Sequence, residues 1–230
     1  MKSPPRSLKL FAALLGYPTQ ELVAAVPEIA RRINEERLLS DATHGMLAAL
    51  LRGLASEDLL DLQERYVAQF DTGRATCLNL FEHVHGDSRD RGQAMIDLHA
   101  LYGRAGVKLV GNELPDYLPA VLEFLSSRPA DEAREMLSDC AHIVRAIGER
   151  LLAASSPYAG IFRAILELIG EEPLRAGAAE CAVQHPDDDW AEAPADFGMN
   201  AAHGAQQSRP QFIRFVSRPE PTPGAPHGPR

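Results

Sequence analysis

Apolar residues recur every three or four positions through the first 175 residues. Over 131–152 they fall at Ala133, Met136, Leu137, Cys140, Ile143, Val144, Ile147 and Leu151, the stripe by which a helix faces a core. Leu59, Leu62, Tyr66 and Phe70 repeat the spacing, as do Met95, Leu98 and Tyr102. Leu8–Leu15, interrupted by Lys9, predicts a short amphipathic helix rather than a secretion signal. Thr19, Ser40 and Ser56 each offer a hydroxyl cap before first-turn carboxylates or an amide. Ser156-Pro157 reads as a cap followed by a first-turn proline. Gly16, Gly106 and Gly170 supply stops, and Pro27 either begins a helix or kinks one running from Thr19. Val107–Val110 alternates but has no partner strand, so it reads as an extended connector. The pattern predicts an all-α, single-domain bundle of about eight or nine helices over residues 1–175.

From 176 the character changes. Eight of the 17 prolines lie at or after Pro186, in a stretch that carries Asp187-Asp188-Asp189 and ends PEPTPGAPHGPR. Such composition buries too little apolar surface to offset the entropy of ordering, so 176–230 is expected to be a disordered, flexible tail. Two islands interrupt it, Trp190–Phe197 (WAEAPADF) and Phe212–Val216 (FIRFV). They are either scattered tail residues or short segments that order on a partner.

Charge narrows the function classes. Lys plus Arg number 23 against 32 Asp plus Glu, a formal charge of -9, which argues against a nonspecific grip on a nucleic-acid backbone. Aromatic residues make up 6% and Trp190 is the single tryptophan, so a base-stacking platform is poorly supplied. Cys77, Cys140 and Cys181 form no disulfide framework and suit a reducing compartment. No run approaches the roughly 18 apolar residues of a membrane span, and the expectation is a cytoplasmic protein.

Few residues form a familiar reaction centre. His83-Val84-His85, with Glu82, Asp87, Asp90 and His99 nearby, is the closest approach to a metal site. On a helix an HxH pair points its rings about 200° apart, whereas zinc-binding helices place ligands at i, i+4. The pair converges only if extended; otherwise the imidazoles pin a helix-to-loop transition. No GxSxG elbow or phosphate loop occurs. Asp87–Arg91 (DSRDR) opens the Met95–Tyr102 helix, and Arg89 and Arg91 beside its positive end call for Asp71, Glu82 or Glu113 as partners. Such a cluster is either an interhelical salt-bridge network or part of a binding surface. In Glu113–Pro119 (ELPDYLP) the helix is expected to settle around Pro119, with Leu118, Val121, Leu122 and Leu125 facing the core. Asp116, Ala120 and Glu123 then form an acidic edge flanked by Tyr117 and Phe124. That edge is either a solvated face or a surface suited to a basic amphipathic peptide.

Five segments carry a resemblance: LLGYP (14–18), LLDLQERYVAQFD (59–71), LFEHVHGDSRDRGQAMID (80–97), ELPDYLPAVLEFL (113–125) and SPY (156–158). Through them the chain resembles the assembly chaperones of membrane-bound respiratory nitrate reductase, the NarJ-type or delta-subunit family of the wider molybdoenzyme chaperones. ELPDYLP is a variant of a broader acidic-proline signature in which many members carry His at the place of Tyr117. The resemblance implies a TorD-like helical chaperone that is no part of the finished enzyme and catalyses nothing. It implies binding, in the cytoplasm, to the apo catalytic (alpha) subunit, notably its N-terminal region. It also implies help with insertion of molybdenum bis(molybdopterin guanine dinucleotide) into that client before membrane docking, with no cofactor held permanently.

The expected client site is a groove between helices. Tyr66, Phe70, Tyr117 and Phe124 form its wall beside Pro115, and Asp71, Glu113, Asp116 and Glu123 meet basic side chains. Glu82, His83, His85, Asp87, Arg89, Asp90 and Arg91 form a family-motif surface. The competing readings are a metal-binding protein or enzyme using His83, His85 and His99, and a regulatory scaffold.

Overall fold

The apolar stripes fold as helices throughout the computed structural model, which describes residues 6–85, 89–109, 113–175 and 177. The described residues contain ten helices: α1 (Ser7–Leu14), α2 (Gln20–Glu36), α3 (Asp41–Ser56), α4 (Leu59–Phe70), α5 (Glu82–His85), α6 (Arg89–Arg104), α7 (Leu118–Ser126), α8 (Ala130–Asp139), α9 (Ala141–Ala153) and α10 (Ala159–Ile169). Among them the one extended pairing is a single antiparallel bridge between Asn79 and Tyr117. No described helix is long and apolar enough to cross a membrane. The all-α expectation holds, with one or two more helices than the pattern predicted. The expected tail, including 190–197 and 212–216, lies outside the described residues apart from Gly177.

Helix α10 forms the centre. Ala159, Ile161, Phe162, Ala164, Ile165 and Leu166 are all fully buried, and α3, α8 and α9 pack around them. Two glycines set how closely. A Cβ on Gly148 of α9 would stand 2.7 Å from the Phe162 Cβ, and one on Gly160 would stand 3.1 Å from the Leu47 backbone nitrogen of α3. Any side chain there would force the helices apart. A second packing group joins α1 to α7 and α2.

Several caps fall where the sequence places them. Thr19 Oγ1 accepts from Leu22 N at 3.2 Å, and Ser40 Oγ accepts from Thr43 N at 3.4 Å. Glu167 reaches across from α10 to accept from Ser40 N at 2.5 Å and from the Ser40 and Thr43 hydroxyls. Burial works against this carboxylate, yet the hydrogen bonds from Thr43 and Ser40 hold its pKa below the ordinary range.

Other boundaries differ. Ser56 ends α3 instead of opening α4, its hydroxyl donating back to Arg52 O at 2.9 Å. Asp58 caps α4 by accepting from Leu60 N. Pro27 sits inside one continuous α2. The 131–152 stripe is two helices meeting at Cys140, because a one-residue turn lets both apolar faces reach α10 without disturbing the spacing. Ser156 Oγ accepts from Tyr158 N at 3.3 Å, and α10 starts only at Ala159.

Candidate functional site

Four of the five resemblance segments meet at one side chain. The i, i+4 spacing of Leu62, Tyr66 and Phe70 turns that face of α4 inward, and all three are buried. The Tyr66 hydroxyl donates to Leu15 O at 2.8 Å. Its single hydrogen is thereby used, so the Tyr117 hydroxyl, 3.0 Å away, donates to it. Around the Tyr66 ring stand Tyr17 edge-on at 5.6 Å, Phe70 at 4.9 Å and Tyr158 at 6.3 Å. Burial pushes the Tyr66 phenol far above its ordinary pKa and that of Tyr158 up to about 12.

The fifth segment is fastened by a polar clip. Leu80 N donates to Asp116 O at 3.1 Å and Leu118 N to Leu78 O at 2.8 Å, flanking the Asn79–Tyr117 bridge. Asp116 Oδ2 accepts from Phe81 N at 2.9 Å, and Tyr102 donates to Pro115 O at 2.8 Å. Asp116 is 0% exposed, and its Oδ1 has no partner among the described residues. Burial raises its pKa, opposed by the Phe81 N–H and the nearby Arg91 charge. Arg91 of α6 pairs with Glu82 of α5 at 3.2 Å, the partner its helix start called for. His83 Nε2 donates to Cys77 O at 2.8 Å and so pins the loop before α5; burial lowers its pKa.

This geometry corrects the expected groove. Tyr66, Phe70 and Phe124 are interior side chains and not its wall, Phe124 packing against Tyr102 at 4.7 Å. Asp116 lies inside and presents no carboxylate to a ligand, because α7 starts at Leu118 and the helical spacing from 116 does not apply. Glu123 is exposed but faces α1, where Lys9 stands 3.5 Å away.

What remains near the surface is a smaller acidic-aromatic patch. Tyr117 is half-buried, and Asp71 and Glu113 are exposed beside it. Burial, with the negative charges of Glu113 and Asp71, holds the Tyr117 phenol above its ordinary pKa. Pro115 is half-buried in the same turn. The segments that meet here also carry exposed apolar residues that the sequence reading passed over: Tyr17 (48% exposed), Val67 (42%) and Leu114 (42%), with Leu60 (68%) at the opposite end of α4 from Phe70. A groove of about 730 Å³ opens elsewhere, between α1, α2 and the end of α7, and shares none of the expected residues.

On the motif surface Glu82, His83 and Arg91 are half-buried and Asp90 is exposed. Asp87 and the side chains of His85 and Arg89 lie outside the described residues. His99 is exposed on α6. Among the described residues no three His, Cys, Asp or Glu side chains are grouped to hold a metal ion.

A family model described as nitrate reductase delta subunit matches residues 36–164, more than half of the chain. The chain belongs to that family. It is 44% identical over 161 residues to the nitrate reductase molybdenum cofactor assembly chaperone NarJ of Escherichia coli K12, covering 70% of this chain and 68% of that one. It is 30% identical over 175 residues to a Bacillus subtilis protein named as a probable chaperone of the same kind, covering 74% and 92%. In fold, this delta-subunit family member is similar to the crystal structure of a protein from Archaeoglobus fulgidus described as a redox enzyme maturation protein. The TM-score is 0.55 at 20% identity, over 74% of this chain and 97% of that one.

Proposed function

We propose that the chain is a system-specific assembly chaperone of nitrate reductase. It binds the apo catalytic (alpha) subunit, especially its N-terminal region, in the cytoplasm. It assists insertion of molybdenum bis(molybdopterin guanine dinucleotide) and leaves before the finished enzyme docks on the membrane. The observation that carries this reading is 44% identity to a nitrate reductase molybdenum cofactor assembly chaperone over more than two thirds of both chains. The patch around Tyr117 supports it, because exposed Tyr17, Val67 and Leu114 beside Asp71 and Glu113 suit a client segment that is both apolar and basic. The chaperone carries no cofactor of its own in this reading and makes or breaks no bond.

Co-purification tests the proposal. Tagged chaperone should retain the cofactor-free catalytic subunit and release the cofactor-loaded one, with hydrogen-exchange protection over residues 14–18, 64–71 and 113–117. Equal retention of both forms, or protection confined to the α1–α2 groove, would refute it.

A further inference from the structure

The chain contains, in its own sequence, a segment of the chemistry that the Tyr117 patch would take. Residues 208–218, SRPQFIRFVSR, hold Arg209, Arg214 and Arg218 with Phe212, Ile213, Phe215 and Val216, and no acidic residue. The rest of the chain beyond Gly177 is acidic, with Glu180, Asp187, Asp188, Asp189, Glu192 and Asp196 ahead of the segment and Glu220 behind it, against Arg230 alone. A cationic, aromatic stretch inside an acidic tail is a local inversion of charge. It complements the patch in both properties, with three guanidinium groups for Asp71 and Glu113 and apolar side chains for Tyr17, Val67 and Leu114.

Reach does not limit the pairing. Residues 178–207 separate the segment from Gly177 and span up to about 100 Å when extended. A domain of this size is roughly 40 Å across. The choice of surface therefore falls to charge and apolar character. The α1–α2 groove balances Arg6, Lys9 and Arg32 against Glu28, Glu35 and Glu36, so it offers a cationic segment no preference.

We infer that residues 208–218 occupy the Tyr117 patch as an internal stand-in for the client, which must displace them to bind. This rests on the patch being the client site. A covalently tethered competitor acts at a local concentration on the order of 1 mM. Even a weak contact of this kind sets a threshold against unrelated apolar peptides, while a client that binds far more tightly overcomes it.

The test uses the full chain and a fluorescein-labelled peptide of residues 208–218, followed by anisotropy. In one variant the chain's own segment is disabled by Phe212→Ser, Arg214→Glu and Phe215→Ser. That variant should bind the peptide about tenfold more tightly than the unaltered chain, because its internal competitor is gone. Adding Asp71→Lys and Glu113→Lys should then weaken binding at least tenfold at unchanged helical circular dichroism. Raising NaCl from 50 to 500 mM should weaken it as well, which checks the charge term without any substitution. Equal affinities for the unaltered chain and the tail variant would overturn the inference, as would indifference to both the charge reversal and salt. A second peptide, from the N-terminus of the nitrate reductase catalytic subunit, separates the two levels. If it binds through Asp71 and Glu113 while the 208–218 peptide does not bind, the stand-in is wrong and the client patch stands. If neither peptide binds, both fall.

Discussion

Helix α10 and the clip at 78–81/115–118 both bury side chains and are held by opposite means. Around α10 the fit is one of volume: six fully buried apolar residues, with glycines on two helices permitting near contact of backbones. At the clip the fit is one of direction, with paired backbone hydrogen bonds and one buried carboxylate aimed at Phe81 N. A region fixed by volume fails when its shape changes, and the charges of α10, on Arg163 and Glu167, are half-buried beside the α3 cap and outside that apolar fit. A region fixed by hydrogen bonds accepts an isostere and fails when a donor is orphaned. The Tyr117 patch is built on the second kind of support, so its alignment depends on a few directional contacts and little on the bulk of the core.

Substitutions can break this contrast. Phe162→Ala should have the largest effect, a loss of about 3–5 kcal/mol in chemical denaturation; a loss under about 1 kcal/mol would mean α10 is not the centre. Asp116→Ala should cost about 1–3 kcal/mol by removing the buried carboxylate acceptor of the Phe81 N–H, whereas Asp116→Asn keeps an acceptor there and should be close to neutral. The pair also has a pH signature. Burial raises the folded-state pKa of Asp116, so folding favours its protonated form. The unaltered chain should therefore gain stability relative to Asp116→Asn as pH falls into the ordinary carboxylate range, and lose that gain as pH rises through the elevated value. A stability difference measured from pH 4 to 8 with the opposite slope would show the carboxylate to be favourably paired. Tyr66→Phe should cost less than Asp116→Ala, about 1 kcal/mol, since the buried Leu15 O loses its donor while the half-buried Tyr117 hydroxyl can turn to water.

Most of the helical frame was legible in the spacing. Leu62, Tyr66 and Phe70 share a buried face, Leu118, Val121, Leu122 and Leu125 face the core, and the Thr19 and Ser40 caps are in place. The break at Cys140 was not legible, because a one-residue turn leaves the apolar stripe in register. The site was read less well for two physical reasons. Aromatic residues at helical spacing fit a groove wall and an interior equally, and Tyr66, Phe70 and Phe124 proved interior. The role of Asp116 depends on Phe81, 35 residues away in sequence, a contact that no local pattern encodes. Tyr17, Val67 and Leu114 left no mark because an isolated exposed apolar residue is ordinary on any surface. Glu82, which meets Arg91, was one of three acidic residues that could offset two arginines at a helix start, and the pattern did not choose among them.

The position of α10 in the chain has a consequence for biosynthesis. The helix that fills the middle of the molecule is the last of the ten described to be translated, and α3, one of the faces it covers, is complete at Ser56. At roughly 5–20 residues per second, the interval between those two points is on the order of six to twenty seconds. Throughout it Leu47 and its neighbours await a cover that has not yet been synthesised. During its own manufacture this bundle is thus a nascent chain whose middle stays open until its last described helix emerges.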